Sequence, residues 1–235
     1  MRSASFVLML VVPVTACSSE PDTRIEPAQV SWMEWPAEVL AATPFSVRLV
    51  GYSVACVEVV KFVTNPSVDE SAVTFEPYFL LTGQPGYCRL DVANSSPLDT
   101  ASIRIIAPFF DTRAPVPGLE AQVPRTYEIR AGTDVSTTDR LTGAIRLPIR
   151  TFGDVTVRSA GVETKRVNAG GLAYAYRDSL GCVTLSPYGV YPAYVVENPP
   201  ADTAQYWFGF VRGYIYEPVA PMCGEARVFH LVTLN

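Results

Sequence analysis

The chain contains one histidine and two lysines, and these shortages exclude several classes of protein. A serine or cysteine nucleophile needs a base, usually histidine, but His230 lies in an apolar terminal segment and no Gly-x-Ser-x-Gly motif occurs. One histidine without a His-Glu-x-x-His motif also leaves too few ligands for a catalytic metal. Ala169-Gly170-Gly171 lacks the spacing and the lysine of a phosphate-binding loop. We therefore expect a structural role for His230 and no metal or cofactor.

Positive charge is scarce as well. The chain has 18 Lys and Arg against 23 Asp and Glu, which gives a formal net charge of -5. Lys61 and Lys165 are its only lysines, and the arginines are scattered singly along the sequence. Because a nucleic-acid-binding domain should present a basic face, we expect no nucleic-acid partner.

Carboxylates are the remaining candidates for chemistry. A pair of them can act as general acid and base in glycan hydrolysis, but the sequence does not show which ones meet in space. The same residues are typical of solvated loops and turns. The sequence therefore favours a protein that is not an enzyme and leaves a glycan-directed envelope hydrolase as the alternative. The candidates are Glu58, Asp69, Glu70, Asp154, Asp178, Glu197 and Asp202.

The first residues are typical of an export signal. Met1 and Arg2 form a positive start, and the apolar run 6–12 is too short to span a bilayer. The small residues Val14-Thr15-Ala16 then precede Cys17, and this order resembles the lipobox of bacterial lipoproteins. The resemblance implies that residues 1–16 are a signal peptide that is removed, and that Cys17 becomes a lipidated first residue.

Residues 17–28 are predicted to be a tether between the lipid and the folded part. The segment after Cys17 is small, polar and interrupted by Pro21, so it cannot bury a core. Two or more acyl chains hold a protein firmly on a membrane. Ser18 follows the cysteine, and in lipoproteins this pattern resembles export to the outer membrane. We expect a lipid-anchored envelope protein whose mature chain has 219 residues and a charge of about -6.

Four cysteines remain after removal of the signal, and in an exported protein an even number indicates disulfides. Three pairings are possible, but the cysteines form two well-separated couples along the chain. We predict the disulfides Cys56–Cys88 and Cys182–Cys223. The competing interpretation is a zinc site, yet no Cys-x-x-Cys or Cys-x-x-His spacing is present.

Residues 29–132 are predicted to form an immunoglobulin-like β-sandwich. This region is a series of short β-type runs with almost no helical period, although the cysteine and tryptophan spacing of antibody domains is absent. Trp32 and Trp35 are expected to cover one end of its core. Turns are predicted at Asn65-Pro66-Ser67, 83–86 and 94–97, and Asp111–Gly118 is predicted to be a long connection because of its prolines and glycine. The predicted strands are 30–40, 45–49, 54–63, 72–81, 87–93, 101–110 and 126–130.

Residues 140–235 are predicted to form a second all-β domain, either a small antiparallel barrel that is OB-like or a second sandwich. The polar run Gly132–Asp139 is the preferred linker, and 111–118 is the alternative boundary. Two β runs are expected to be joined across Phe152-Gly153-Asp154, and a hairpin is expected with its turn at 178–181. The predicted strands are 144–147, 155–158, 172–176, 182–185, 191–197, 206–216 and 226–234.

The run 206–216 is the most informative strand. With a period of two, one face carries Gly209 and Gly213 among apolar residues, which fits the interior of a tight barrel. The other side, which we call the aromatic strand face, consists of Tyr206, Phe208, Phe210, Arg212, Tyr214 and Tyr216. It must be covered by the first domain or by a partner, or else serve as a stacking platform for a ligand ring. Further rings for stacking are expected from Tyr188, Tyr191 and Tyr194.

These observations together predict a lipid-anchored envelope protein that acts as a non-catalytic binding or structural module. Its expected contact is the aromatic strand face, with a glycan or an envelope protein as the partner.

Overall fold

A computed structural model describes residues 23–52, 58–82, 109–120, 125–133, 136–139, 143–146, 148–161, 165–188, 190, 193–200, 206–217, 223 and 227–234. Every regular element in these residues is a strand, so the predicted all-β class is confirmed. No helix of the length and hydropathy needed to cross a membrane occurs among them. The strands are β1 Thr23–Pro27, β2 Gln29–Pro36, β3 Glu38–Leu40, β4 Phe45–Tyr52, β5 Glu58–Val68, β6 Ala72–Thr82, β7 Phe109–Val116, β8 Arg125–Ala131, β9 Ser136–Asp139, β10 Gly143–Arg146, β11 Arg150–Arg158, β12 Val167–Arg177, β13 Val183–Pro187, β14 Tyr194–Val196, β15 Tyr206–Tyr216 and β16 Val228–Leu234.

One core is enclosed between two β-layers. The first layer is a six-stranded sheet in the order β1-β6-β8-β11-β3, with β5 paired to β6. The second layer is the β2-β4-β7 part of an eight-stranded sheet. Met33, Leu49 and Val116 from the second layer share one core cluster with Phe75 and Ile129 from the first. The pairs β6–β8 and β3–β11 are parallel, and the other pairs within these layers are antiparallel.

The eight-stranded sheet continues into a closed barrel. The strands β12, β13, β14, β16 and β15 pair in turn, and β15 pairs back to β12, so the five strands form a ring. Only the pair β14–β16 is parallel. Val211 and Ile215 on the glycine-bearing face of β15 are buried in the barrel core with Leu185 and Phe229. The prediction of a small barrel in the second half is thereby confirmed.

Strand β2 contributes to both cores. Its Trp32 packs in the barrel core, with ring centroids 6.4 Å from Tyr194 and 6.0 Å from Phe229. Trp35, three residues later, packs in the core between the two layers and donates from Nε1 to the backbone oxygen of Asp154 at 2.9 Å. The two tryptophans are therefore interior residues of different cores.

Sheet pairing crosses the position at which the sequence predicts a domain boundary. Strand β11 follows that position but pairs with β8 and β3, which precede it. Strand β12 pairs in the same way with β2. The predicted linker Gly132–Asp139 contains β9, which forms a hairpin with β10. The division into 29–132 and 140–235 stays a prediction about folding units, whereas the sheets are continuous across it.

Two segments predicted as a turn and a connection are strands, so those predictions were wrong. Asn65-Pro66-Ser67 lies inside β5, and most of 111–118 lies inside β7. Among the described strands, both lie at a sheet edge, where proline needs no ladder partner for its missing N–H. The turn after β5 forms instead around Asp69, whose Oδ1 accepts from the backbone nitrogens of Ser71 at 2.6 Å and Ala72 at 2.7 Å.

The connection predicted across Phe152-Gly153-Asp154 was also wrong. Strand β11 runs through these residues, with a register shift between Thr151 and Gly153 against β8. Gly153 is there because of a close approach: a Cβ at this position would lie 2.6 Å from Cζ2 of Trp35. Glycine inside a strand thus marks a crowded backbone rather than a turn.

The β12–β13 hairpin is confirmed, and so is one disulfide. Asp178 Oδ1 accepts from the backbone nitrogens of Leu180 and Cys182, each at 2.9 Å, which stabilises the turn. Cys182 is bonded to Cys223 across a sequence separation of 41. Cys17, Cys56 and Cys88 lie outside the described residues, so the lipidation site and the other disulfide stay predictions.

Candidate functional site

The aromatic strand face of β15 lies on the outside of the barrel next to β12. The register places Phe208 opposite Tyr174, Arg212 opposite Gly170, and Tyr214 opposite Asn168. Residues directly opposite in an antiparallel pair share a face, so the outer surface of the barrel here combines side chains from both strands.

Strand β11 packs across the middle of this face. The ring of Phe210 is 5.3 Å from that of Phe152, in an edge-to-face arrangement, and Nη2 of Arg212 donates to the backbone oxygen of Thr151 at 2.6 Å. Gly170 allows the approach, because a Cβ there would lie 2.9 Å from the oxygen of Phe152. Phe210 and Arg212 are therefore packing residues between the layers, and the face is divided into two ends.

The first end belongs to a cluster of rings that we call the aromatic patch. Ring contacts connect Tyr52, Phe109, Tyr174, Tyr188 and Phe208, and we include Tyr176, which lies two residues from Tyr174 on the same face of β12. The ring of Tyr188 is central: it lies 5.6 Å from Tyr52, 4.9 Å from Phe109, 5.8 Å from Tyr174 and 6.1 Å from Phe208. Phe208 also lies 4.5 Å from Tyr174.

The patch is open to solvent at its outer members. Phe208 is 50 % exposed and Tyr176 is 48 % exposed. Tyr52, at the inner side, is more buried, and this burial raises the pKa of its hydroxyl to about 12. The patch thus has an inner row of rings that pack on one another, Tyr52, Phe109 and Tyr188, and an exposed outer row, Phe208 and Tyr176.

The second end is a polar cluster around His230. Nδ1 of His230 lies 2.6 Å from Oε2 of Glu197, and its ring stacks on that of Tyr214 at 4.7 Å. The hydrogen bond from His230 and a smaller one from Tyr216 hold the pKa of Glu197 below its usual value. The hydrogen bond between Tyr216 and Glu197 raises the pKa of the Tyr216 hydroxyl to about 12. His230 therefore occupies a stacked and hydrogen-bonded position at the barrel surface.

The candidate carboxylates of the described residues lie in separate places. Asp69 and Glu70 are in the β5–β6 turn, Asp178 is in the β12–β13 turn, and Glu197 is beside His230. Asp69 and Asp178 accept backbone hydrogen bonds that shape their turns. Within the described ranges, no group of three or more His, Cys, Asp and Glu is arranged to hold a metal ion.

The three further tyrosines that were predicted to stack on a ligand do not lie together. Tyr188 is the centre of the aromatic patch, whereas Tyr194 is buried in the barrel core and donates from its hydroxyl to Oε1 of Glu34 at 3.1 Å. Tyr191 and the side chain of Tyr206 lie outside the described part of the molecule.

Sequence reasoning did not find Tyr52 and Phe109 as members of the site. They come from β4 and β7 in the first half and are brought opposite each other by strand pairing, with ring centroids 5.8 Å apart. Their local sequence gives no sign of this, because only the long-range register of β4 with β7 and the packing of both on the barrel create the cluster.

Comparison with known proteins found no relative of this chain. No protein-family model matches the chain, and no curated protein or solved structure shows significant similarity to it. The function is therefore argued from the site itself.

Proposed function

We propose that this chain is an exported, lipid-anchored envelope protein that binds glycan through the aromatic patch without catalysing a reaction. The observation that carries the proposal is the half-exposed pair Phe208 and Tyr176 beside a supported inner row of rings. Contiguous exposed apolar surface of this kind marks interaction sites in soluble domains.

The chemistry of the patch favours sugar rings as the ligand. Aromatic faces offer apolar surface to the C–H side of a pyranose, and tyrosine hydroxyls can form hydrogen bonds with sugar hydroxyls. The inner rings contact one another edge-to-face or tilted, so a ligand meets a surface that is already arranged. Preorganisation of this kind reduces the entropy lost on binding.

The scaffold supports the proposal at the level of fold class. We infer an immunoglobulin-like sandwich for the first core, because two β-layers enclose it. We infer an OB-like barrel for the second core, because the ring order β12-β13-β14-β16-β15 with β14 parallel to β16 is compatible with the OB topology. OB-folds include oligosaccharide binders, which use their second and third strands. The patch residues on the barrel strands are Tyr174, Tyr176 and Phe208, on the first and fourth of them, so the analogy concerns the class and not the position of the site.

The lipobox residues support a membrane location for this activity. Val14-Thr15-Ala16 before Cys17 supports removal of residues 1–16 and acylation of the cysteine. Anchoring at the outer membrane would hold the patch close to envelope polysaccharides. Labelling with a fatty-acid analogue tests this step: label incorporated by the wild type should be absent from the Cys17→Ser variant.

Co-sedimentation of the purified protein with peptidoglycan sacculi tests the ligand. The double variant Phe208→Ala/Tyr176→Ala should bind at least fivefold less than the wild type, because it removes the exposed rings. Ile25→Ala, which removes an exposed apolar side chain from β1, is the matched control and should bind like the wild type. Equal binding by all three proteins would overturn the proposal, as would release of reducing ends from the sacculi, which would favour the hydrolase.

A further inference from the structure

A groove of about 560 Å³ lies between the two cores where β2, β4, β7 and the beginning of β12 come together. Five cationic side chains line it: Arg48, Arg113, Lys165, Arg166 and Arg227. Glu34 and Glu38 are its two carboxylates, so the lining has a formal charge of +3 in a chain whose net charge is -5. The arginines are scattered singly along the sequence, but the fold brings four of them together with Lys165 from four separate segments.

The two carboxylates of the groove already have cationic partners. Oε1 of Glu34 accepts from Nη1 of Arg48 at 3.0 Å, and Glu38 forms an ion pair with Arg158 outside the groove. Arg48 is also bound to Asp111 at 2.6 Å, and these contacts raise the pKa of its guanidinium further. Neither carboxylate of the groove therefore forms an ion pair with its four other cations.

Arg113, Lys165, Arg166 and Arg227 form no ion pair with any residue that the structure describes. Arg166 lies over the ring of Tyr214 at 4.0 Å, and Arg227 lies over the ring of Tyr194 at 5.0 Å, so aromatic faces orient both. Arg113 is directly opposite Arg48 in the β4–β7 register. Because Arg48 already has Glu34 and Asp111 as partners, Arg113 is the cation of this pair that a bound anion would neutralise.

A second feature points to a ligand that also carries hydroxyl groups. The carboxylate of Glu38 lines the groove beside the cations, and its side chain is 21 % exposed. A carboxylate oxygen only accepts hydrogen bonds, so a donor group of a ligand suits this position. We propose that the groove binds an acidic saccharide, whose anionic group lies among the four cations while a hydroxyl group donates to Glu38.

This groove is distinct from the aromatic patch. Arg166 and Tyr174 are eight positions apart along one extended segment, which corresponds to about 26 Å at about 3.3 Å per residue. Substitutions in one site therefore do not touch the other, and each proposal can fail alone.

The shape favours a saccharide over an anionic membrane as the occupant. A membrane surface is flat and is bound by basic groups on a protruding face, whereas these cations line a concave groove together with two carboxylates. The volume also lies within the range of small-molecule pockets, which is about 300–1,000 Å³.

Isothermal titration calorimetry of the purified protein with trigalacturonate tests the inference. The double variant Arg113→Gln/Lys165→Gln should bind at least tenfold more weakly at low ionic strength, and wild-type affinity should fall as salt is added. The matched control is Arg125→Gln/Lys61→Gln, which removes the same charge from exposed positions outside the groove and uses the other lysine of the chain. It should bind within twofold of the wild type.

Other ligands separate the rival explanations. Neutral maltotriose should bind at least tenfold more weakly than trigalacturonate. Equal affinity for maltotriose, equal weakening in the two double variants, or no binding of trigalacturonate would overturn the inference. Binding of inorganic phosphate or of phosphatidylglycerol vesicles as tight as that of trigalacturonate would also overturn it, in favour of a simple anion site or a membrane contact. Thermal unfolding of both variants checks that the fold is retained.

Discussion

At the scale of single residues, Glu34 connects three strands. Its Oε1 accepts from Nε1 of Trp32 at 3.1 Å, from Nη1 of Arg48 at 3.0 Å and from the hydroxyl of Tyr194 at 3.1 Å. Trp32 and Tyr194 are buried, and burial together with Glu34 raises the pKa of Tyr194. One acidic oxygen thus satisfies donors from β2, β4 and β14.

Substitution of Glu34 tests this arrangement. Glu34→Ala leaves two buried donors and a half-buried guanidinium without their acceptor, and should lower the free energy of unfolding by about 3–5 kcal/mol. Glu34→Gln keeps an acceptor oxygen and should lower it by roughly half as much. Urea denaturation measures both values. Equal losses for the two variants would show that the shared acceptor is not what stabilises the junction.

The His230 cluster makes a prediction about pH. Because the pKa of Glu197 is lowered in the folded chain, its ionised form contributes stability above the ordinary glutamate pKa of about 4.3. That contribution is lost as the pH falls through the lowered value. In His230→Phe, which keeps a ring beside Tyr214 but no hydrogen bond, the pKa of Glu197 should rise.

Carbon-13 NMR titration of the Glu197 carboxyl group measures the shift directly. Tyr216→Phe removes the smaller of the two side-chain hydrogen bonds and should raise the pKa less than His230→Phe does. If neither substitution moves the titration midpoint, the hydrogen bonds of this cluster do not control the charge of Glu197.

At the scale of secondary structure, the sequence predicted the elements whose signals are local. The alternation in β15 correctly identified its buried face, and the glycine-bearing turn identified the β12–β13 hairpin. Strand β7 and the middle of β11 were missed, since proline and glycine usually interrupt strands. Pro115 is tolerated because β7 lies at an edge among the described strands. Gly153 suits β11 because the ring of Trp35 packs against its backbone. Neither fact is present in the local sequence.

Gly171 provides a test at this scale. It has a φ of 147°, and a Cβ there would lie 2.1 Å from the backbone oxygen of Ser31 in β2. Gly171→Ala should therefore destabilise the chain by more than about 3 kcal/mol, because the strain and the clash act together at the β2–β12 contact. Thermal and urea unfolding measure the effect.

Gly181→Ala is the matched control for Gly171. Gly181 has a φ of 86°, but nothing lies within 4 Å of a Cβ placed there. Its substitution should cost about 1 kcal/mol from backbone strain alone. A loss at Gly171 no larger than that at Gly181 would mean that β2 can move away from β12.

At the scale of the whole molecule, function depends on what long-range pairing brings together. The outer face of β15 was predicted as a site, but its division by β11 requires the approach of Phe152 to Gly170. The aromatic patch and the cationic groove each collect side chains from both halves of the chain. Local residue patterns do not predict contacts between residues far apart in the sequence, so both sites were found only from the structure.

Glycan binding at the exposed rings of the aromatic patch can be measured ring by ring. Aromatic proton–carbon NMR spectra of the purified protein, titrated with soluble peptidoglycan fragments, report on each ring separately. We expect saturable shifts for the rings of Phe208, Tyr176 and Tyr174, with little change for the buried Tyr194. Titration without shifts in the patch, or with shifts confined to other rings, would contradict it.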